Sequence, residues 1–391
     1  MPVTVARLAS GVASIAAGLD HTCALTRAGR VKCWGFNIYG QLGDGTTTNR
    51  RTPVDVSGLP SVVAGIAAGA DHTCALTGAG GVKCWGENDS GQLGDGTATD
   101  RHVPVDVFGL ASGVESIAAG GVHTCALTSA GAVKCWGMNL RGELGDGTTT
   151  QRNAPVDVSG LESGVAAIAA GGDDVARGEE DDNGHTCALT GAGGVKCWGA
   201  NFVGQLGDGT TTERHTPVSV SGLASGVVAI AAGVDHTCAL TTGGAVECWG
   251  GLTGDGTLKT RLTPVAVSGL ASGVVAIAAG EFHSCALTSL GRVKCWGDNS
   301  FGELGDGTAV SSLTPVGVIG FGGSLKCAVP YTLGIRLARA NSVITRAHCR
   351  VGTVTRVASR KRKNTVVGQS PRPFKRLKKG ARVNLKVSRG H

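Results

Sequence analysis

One phrase of about fifty residues recurs along this 391-residue chain, and a chain built that way has few folds open to it. The phrase appears six times, first as HTCALTRAGRVKCWGFNIYGQLGDGTTT and last as HSCALTSLGRVKCWGDNSFGELGDGTAV. The first cysteines of successive copies, Cys23, Cys74, Cys125, Cys187, Cys238 and Cys285, stand 51, 51, 62, 51 and 47 residues apart. A unit of this length made of short strands cannot bury an apolar face alone. It stacks on its neighbours, so the expected architecture is all-β, a β-propeller working through an assembled surface.

Four strands are read in each repeat; in the first copy they lie near PVTV, GVASIAAG, HTCALT and VKCWG. The turn TRAG joins the last two as a hairpin, with Gly29 free to take positive φ. If Cys23 opposes Cys33, then Ala24 faces Lys32, Leu25 faces Val31 and Thr22 faces Trp34, which leaves the indole room beside small residues. The Pro-Val strand occurs seven times, from Pro2 to Pro315, against six hairpins. Either the six visible blades close with an overlapping end strand or, the preferred expectation, a seventh blade and a signal peptide precede Met1 in an intact chain. The opening MPVTVARLASGVASIAAG is itself no signal peptide and reads as the back half of a repeat.

Glycine supplies 65 residues without a Gly-x-y period, which fits the many turns of a short-stranded protein and excludes collagen. The sequence has no run of eighteen apolar residues, so no membrane span is expected. Charge divides sharply. Residues 324–391 hold 18 Lys and Arg and no acid, leaving 18 basic against 29 acidic residues before them. The first part is thus about −11 and the tail +18, which argues for two domains with different partners, at 1–323 and 324–391.

Twelve of the fourteen cysteines form Cys-x9-Cys pairs: Cys23 and Cys33, Cys74 and Cys84, Cys125 and Cys135, Cys187 and Cys197, Cys238 and Cys248, Cys285 and Cys295. Cys327 and Cys349 make a seventh pair in the tail. Directly opposed strand residues come close enough for a disulfide, and each such loop of about eleven residues contributes on the order of 2–3 kcal/mol. Free thiols and a metal site, with His21 beside Cys23 and Cys33, are the rival readings. Zinc would need a fourth ligand and six identical sites, so disulfides and an oxidising compartment are preferred.

The motif IAAG…H-x-C-A-L-T…G-x-V-x-C-W-G-x-N-x-x-G-x-L-G-D-G-T resembles the regulator-of-chromosome-condensation repeat over residues 1 to about 318. That resemblance implies a propeller, usually of seven blades, in a family that spans nuclear exchange factors, photoreceptors and secreted inhibitors, so the fold leaves the function open. A cysteine pair in every blade and one Trp per blade weigh against the exchange-factor and light-sensor roles. The tail resembles a PASTA domain through Val329-Pro330, Leu333-Gly334, Gly352, Gln369-Ser370-Pro371, Lys379-Gly380 and Val387-Ser388-Arg389-Gly390, with Asn364 and Phe374 as departures. That resemblance implies a small α+β, extracytoplasmic module associated with peptidoglycan. Leu337, Ala340, Ile344 and Ala347 fall at helical spacing, as its one helix requires.

The six repeated histidines, His21 to His283, recur with the blade and read as structural hydrogen-bonders at a strand start. The Leu-Gly-Asp-Gly-Thr loops offer one Asp each, too few oxygens for calcium, and read as turns. An acidic insertion, DDVARGEEDDN from Asp173 to Asn183, reads as a solvated loop before cation binding. Positions that vary inside the fixed frame carry the candidate ligand contacts: Phe36, Ile38, Tyr39, Met138, Leu140, Arg141, Phe202, Val203, Phe282 and Phe301. Strand directions put them at one end of the hairpins, a face for a protein or glycan partner. In the tail, Lys361, Arg362, Lys363, Lys375, Arg376, Lys378 and Lys379 form the candidate basic anchor for an anionic cell-wall polymer or peptidoglycan. Nucleic acid is a weaker fit, given little aromatic interleaving.

The sequence shows no nucleophile–base pair, phosphate loop or metal quartet, so no enzyme activity, cofactor or metal is expected. The reading is a secreted or cell-wall-associated bacterial binding protein. The alternative is an intracellular guanine-nucleotide-exchange-factor-like regulator with a nucleic-acid-binding tail.

Overall fold

The computed structural model describes residues 5, 6, 8, 10–173, 183–321 and 326–390. The acidic insertion between 173 and 183, the Pro2 strand and the 323/324 domain boundary lie outside them. Among the described residues, six four-stranded antiparallel sheets follow one another along the chain, each a simple meander. Blade 1 runs through an inner strand Val12–Ala17, a histidine strand His21–Thr26, a tryptophan strand Val31–Gly35 and an outer proline strand Arg50–Asp55. The inner strands of successive blades, Val12–Ala17, Val63–Ala68, Val114–Ala119, Val165–Gly171, Val227–Ala232 and Val274–Ala279, pack on one another in turn. This is the propeller arrangement.

The hairpin register matches the sequence reading: Cys23 pairs with Cys33, Ala24 with Lys32, Leu25 with Val31 and Thr22 with Trp34. The grouping of strands differs. The Pro-Val segment does not open a blade; it closes the preceding one, pairing Val54 with Cys33 and Asp55 with Lys32. A fourteen-residue loop separates the two strands, so local pattern alone does not show which neighbour the proline strand joins.

Packing explains why the unit needs company. The cysteine face of each of blades 1 to 5 meets the tryptophan face of the next, as where Cys23, Leu25, Val31, Cys33 and Leu42 of blade 1 enclose Ala75 and Trp85 of blade 2. Trp85, Trp136, Trp198, Trp249 and Trp296 are all fully buried this way, whereas Trp34 of blade 1 is half-buried. Glycine is obligatory at Gly43, where φ is +67° and a Cβ would stand 2.7 Å from Trp85 Nε1. Seven disulfides join the cysteine pairs expected from sequence, the six hairpin bridges with Cα atoms 4.1 Å apart. They suggest an oxidising, extracellular environment.

The tail folds as a helix, Leu337–Arg346, with a three-stranded sheet of Arg350–Val357, Arg382–Ser388 and Val366–Ser370. Ala340, Ile344 and Ala347 bury the helix face against Val366, Val383, Leu385 and Val387, as their spacing requires. A short ribbon pairs Lys326–Ala328 with Arg376–Lys378. No helix among the described residues is long and apolar enough to cross a membrane.

Candidate binding face

Two loops per blade build one end of the propeller, and backbone hydrogen bonds tie them together. The loop after the tryptophan strand donates to the loop before the histidine strand: Phe36 N–H to the Asp20 carbonyl (2.9 Å), Met138 to Val122 (3.0 Å) and Asp298 to Phe282 (2.8 Å). The variable positions picked from sequence therefore share an end. Ile38, Leu140, Phe202, Phe282 and Phe301 are exposed on it, Phe301 at 96%. Phe36, Tyr39, Met138, Arg141 and Val203 are half-buried. Arg141 and Phe202, from adjacent blades, are brought into contact, with the guanidinium carbon 4.8 Å from the ring centroid and Glu213 flanking at 3.6 Å.

Below this face lies a belt of histidines. His21 Nε2 meets Thr73 Oγ1 of the next blade at 2.8 Å, and the contact recurs at His72–Thr124, His123–Thr186, His185–Thr237 and His236–Ser284. The Thr73 hydroxyl donates to the Gln41 carbonyl at 2.9 Å, so its oxygen accepts and the imidazole proton belongs on Nε2. The same holds at Thr124, Thr186 and Thr237. Trp85, Trp136, Trp198 and Trp249 add an indole bond to the same carbonyls. Burial is the chief cause that lowers the imidazoles, His21 to about 4 and His72 and His185 to about 3. His21, His72 and His185 are thus neutral blade-to-blade staples. The structural reading is upheld; that the partner sits on the next blade could not be read from a single repeat.

The Gly-Asp-Gly loops are likewise self-contained. Asp44 Oδ1 accepts from Thr46 N (3.0 Å) and Thr46 Oγ1 (2.6 Å), while Arg50 Nε donates to Oδ2 at 2.8 Å. Burial by itself pushes the Asp44 carboxyl up, but the bonds from Thr46 and Arg50 together outweigh it and hold it below its usual range. An arginine stands where a metal reading would put a cation. Four more blades repeat the pairing, at Asp95–Arg101, Asp146–Arg152, Asp208–Arg214 and Asp255–Arg261.

In the tail, Lys361, Arg362, Lys363, Lys375, Lys378 and Lys379 are exposed. Arg376 is a correction. Its side chain is 13% exposed and forms an ion pair with Asp306 of blade 6, so it is not available to an outside polyanion. Sequence reasoning missed this contact, although one signal was present: the sixth loop has Ser312 where five others carry arginine.

Two models of the Regulator of chromosome condensation (RCC1) repeat match the chain, one over residues 28–76, 79–127, 130–176 and 192–240, the other over 12–41, 63–92, 114–143, 227–256 and 274–303. The chain is 33% identical to the Ultraviolet-B receptor UVR8 of Arabidopsis thaliana over 61% of its own length and 53% of the receptor. It thus spans about half of that relative. Among solved structures it resembles human WBSCR16, with a TM-score of 0.70 at 26% identity, covering 80% of this chain and 82% of that one. Prp20p of Saccharomyces cerevisiae, described with its binding to Gsp1p and histones, gives 0.67 at 25% identity over 78% and 76%.

Proposed function

The chain belongs to the regulator-of-chromosome-condensation (RCC1) repeat family, and from that premise we propose that it is an extracellular, non-enzymatic binding protein. Its loop face takes a protein or glycan partner, and its tail associates with an anionic cell-wall polymer. The observation that carries the first half is the set of exposed apolar side chains at one end of the propeller, above all Phe301, Phe282 and Ile38. A large ring held in water at 96% exposure is a cost that an interface relieves. Seven disulfides support the compartment. They favour it over the intracellular exchange-factor reading. The exposed cations Lys361, Arg362, Lys363, Lys375, Lys378 and Lys379 support the second half. The kinship of the tail to PASTA domains rests on its sequence resemblance.

Photo-crosslinkers at positions 301 and 38, with position 290 as the control, test the face. Leu290 is 79% exposed but lies on the turn at the opposite end of blade 6. One discrete adduct from positions 301 and 38 and none from 290 is expected; equal labelling from both ends rules the face out. For the tail, retention on purified peptidoglycan should fall steeply between 50 mM and 500 mM salt, and retention indifferent to salt contradicts a charge-driven association.

A further inference from the structure

Blade 6 breaks the arginine rule of the other five blades, and its departures converge on one contact. Asp306 keeps the cradle of its counterparts: Oδ1 accepts from Thr308 N at 3.0 Å and Thr308 Oγ1 at 2.7 Å, with Asn299 Nδ2 at 3.4 Å. Its side chain is only 8% exposed. The residue that should bring the positive charge is Ser312, whose hydroxyl instead donates to the Thr314 carbonyl at 2.8 Å. Left alone, that buried carboxylate would lack the cation that Asp44, Asp95, Asp146, Asp208 and Asp255 all have, an expensive arrangement.

The tail supplies it. Arg376 Nη1 stands 2.9 Å from Asp306 Oδ2, an ion pair outside strict hydrogen-bond alignment, and Nη2 donates to the Val310 carbonyl at 3.3 Å. Two further changes in blade 6 fit the same contact. Val310 replaces the Thr or Lys found at Thr48, Thr99, Thr150, Thr212 and Lys259, and its side chain is buried in the apolar core of the tail domain beside Cys327, Ile344 and Ala347. His348, at φ +56°, reaches back from the end of the helix so that Nε2 meets the Gly307 carbonyl at 2.7 Å.

We propose that Asp306 and its cradle form a receptor site for one guanidinium group, that Arg376 of the chain's own C-terminal domain is the resident ligand, and that this seat locks the domain onto blade 6. The domain is then a fixed part of the propeller rim rather than a freely tethered module. It gives up one of its 18 cations to the latch and points the other six of the candidate anchor in a set direction.

The discriminating variant is Ser312→Arg in the full chain, because it restores what five blades already have and should fold. A local arginine competes with Arg376 for Asp306. The expected result is that Ser312→Arg and Arg376→Gln each release the domain: the radius of gyration from small-angle scattering rises, and amide exchange at residues 307–311 and 346–350 accelerates about tenfold or more. The double variant should show the same release, with the exchange of blade 6 itself restored to that of its sister blades. Wild-type scattering and protection in either single variant, Ser312→Arg or Arg376→Gln, would overturn the proposal. Mapping the six hairpin disulfides in every variant separates release from misfolding.

Discussion

Mild acid should loosen the propeller at its histidine belt. In the unfolded chain each imidazole titrates near its ordinary value of about 6.5. In the folded chain burial lowers His21 to about 4 and His72 and His185 to about 3. Because the folded values lie below the unfolded one, the unfolded state takes up protons first as pH falls. The stability tied to each neutral imidazole is complete above pH 6.5 and is lost progressively down to about pH 4 for His21 and about pH 3 for the other two. Inside that window each histidine costs about 1.4 kcal/mol per pH unit, so at pH 5 the loss is about 2 kcal/mol each and about 6 kcal/mol for the three. A typical domain has 5–15 kcal/mol in all, so the effect is large. The carboxylates Asp44, Asp95, Asp146 and Asp208 are held below their usual range and add nothing until lower pH. Guanidinium unfolding at pH 7.5, 6 and 5, followed by tryptophan fluorescence with disulfides intact, measures the slope. His72→Gln keeps a donor for Thr124 without a titrating group and should remove one histidine's share of it. A midpoint that does not move between pH 7.5 and 5, or an unchanged slope in His72→Gln, refutes the reasoning.

Two further substitutions probe the blade-to-blade seam. Trp136→Phe deletes the 3.0 Å indole bond to the Gln92 carbonyl and should cost about 1–3 kcal/mol in denaturant unfolding. Trp296→Phe should cost distinctly less, because the loop after Trp249, four residues shorter than its counterparts, leaves the Trp296 Nε1 without a hydrogen-bond partner. Gly43→Ala places a Cβ 2.7 Å from Trp85 Nε1 at φ +67° and should lower the melting temperature by several degrees. Gly58→Ala, at φ +73° in open space, carries only the left-handed backbone penalty of about 1 kcal/mol.

What could be read from the sequence was what closes over a short span. The Cys-x9-Cys spacing around one Gly-bearing turn leaves a single sensible register, and Cys23 opposite Cys33 with Trp34 beside Thr22 followed from it. The shared end of the variable loops followed from strand direction in the same way. Contacts made across a long loop or a blade boundary were not legible. Nothing local names the neighbour of the Pro53 strand, which pairs back onto the hairpin before it, and the partner of His21 lies 52 residues on at Thr73. By sequence alone Arg376 is one more cation in a basic run. Only the loss of arginine at Ser312, weighed against the buried charge of Asp306, gives it a different role.

The claim beneath the fold, the compartment and the proposed role is that the sulfurs are bonded rung to rung. Intact mass of native protein, taken without reductant and after alkylation of free thiols, tests it directly. The account predicts no alkylation and a mass about 14 Da below that of the reduced chain, two hydrogens for each of seven bridges. Native material that takes up alkylating agent at Cys23, Cys33 and their counterparts in the other blades contradicts it.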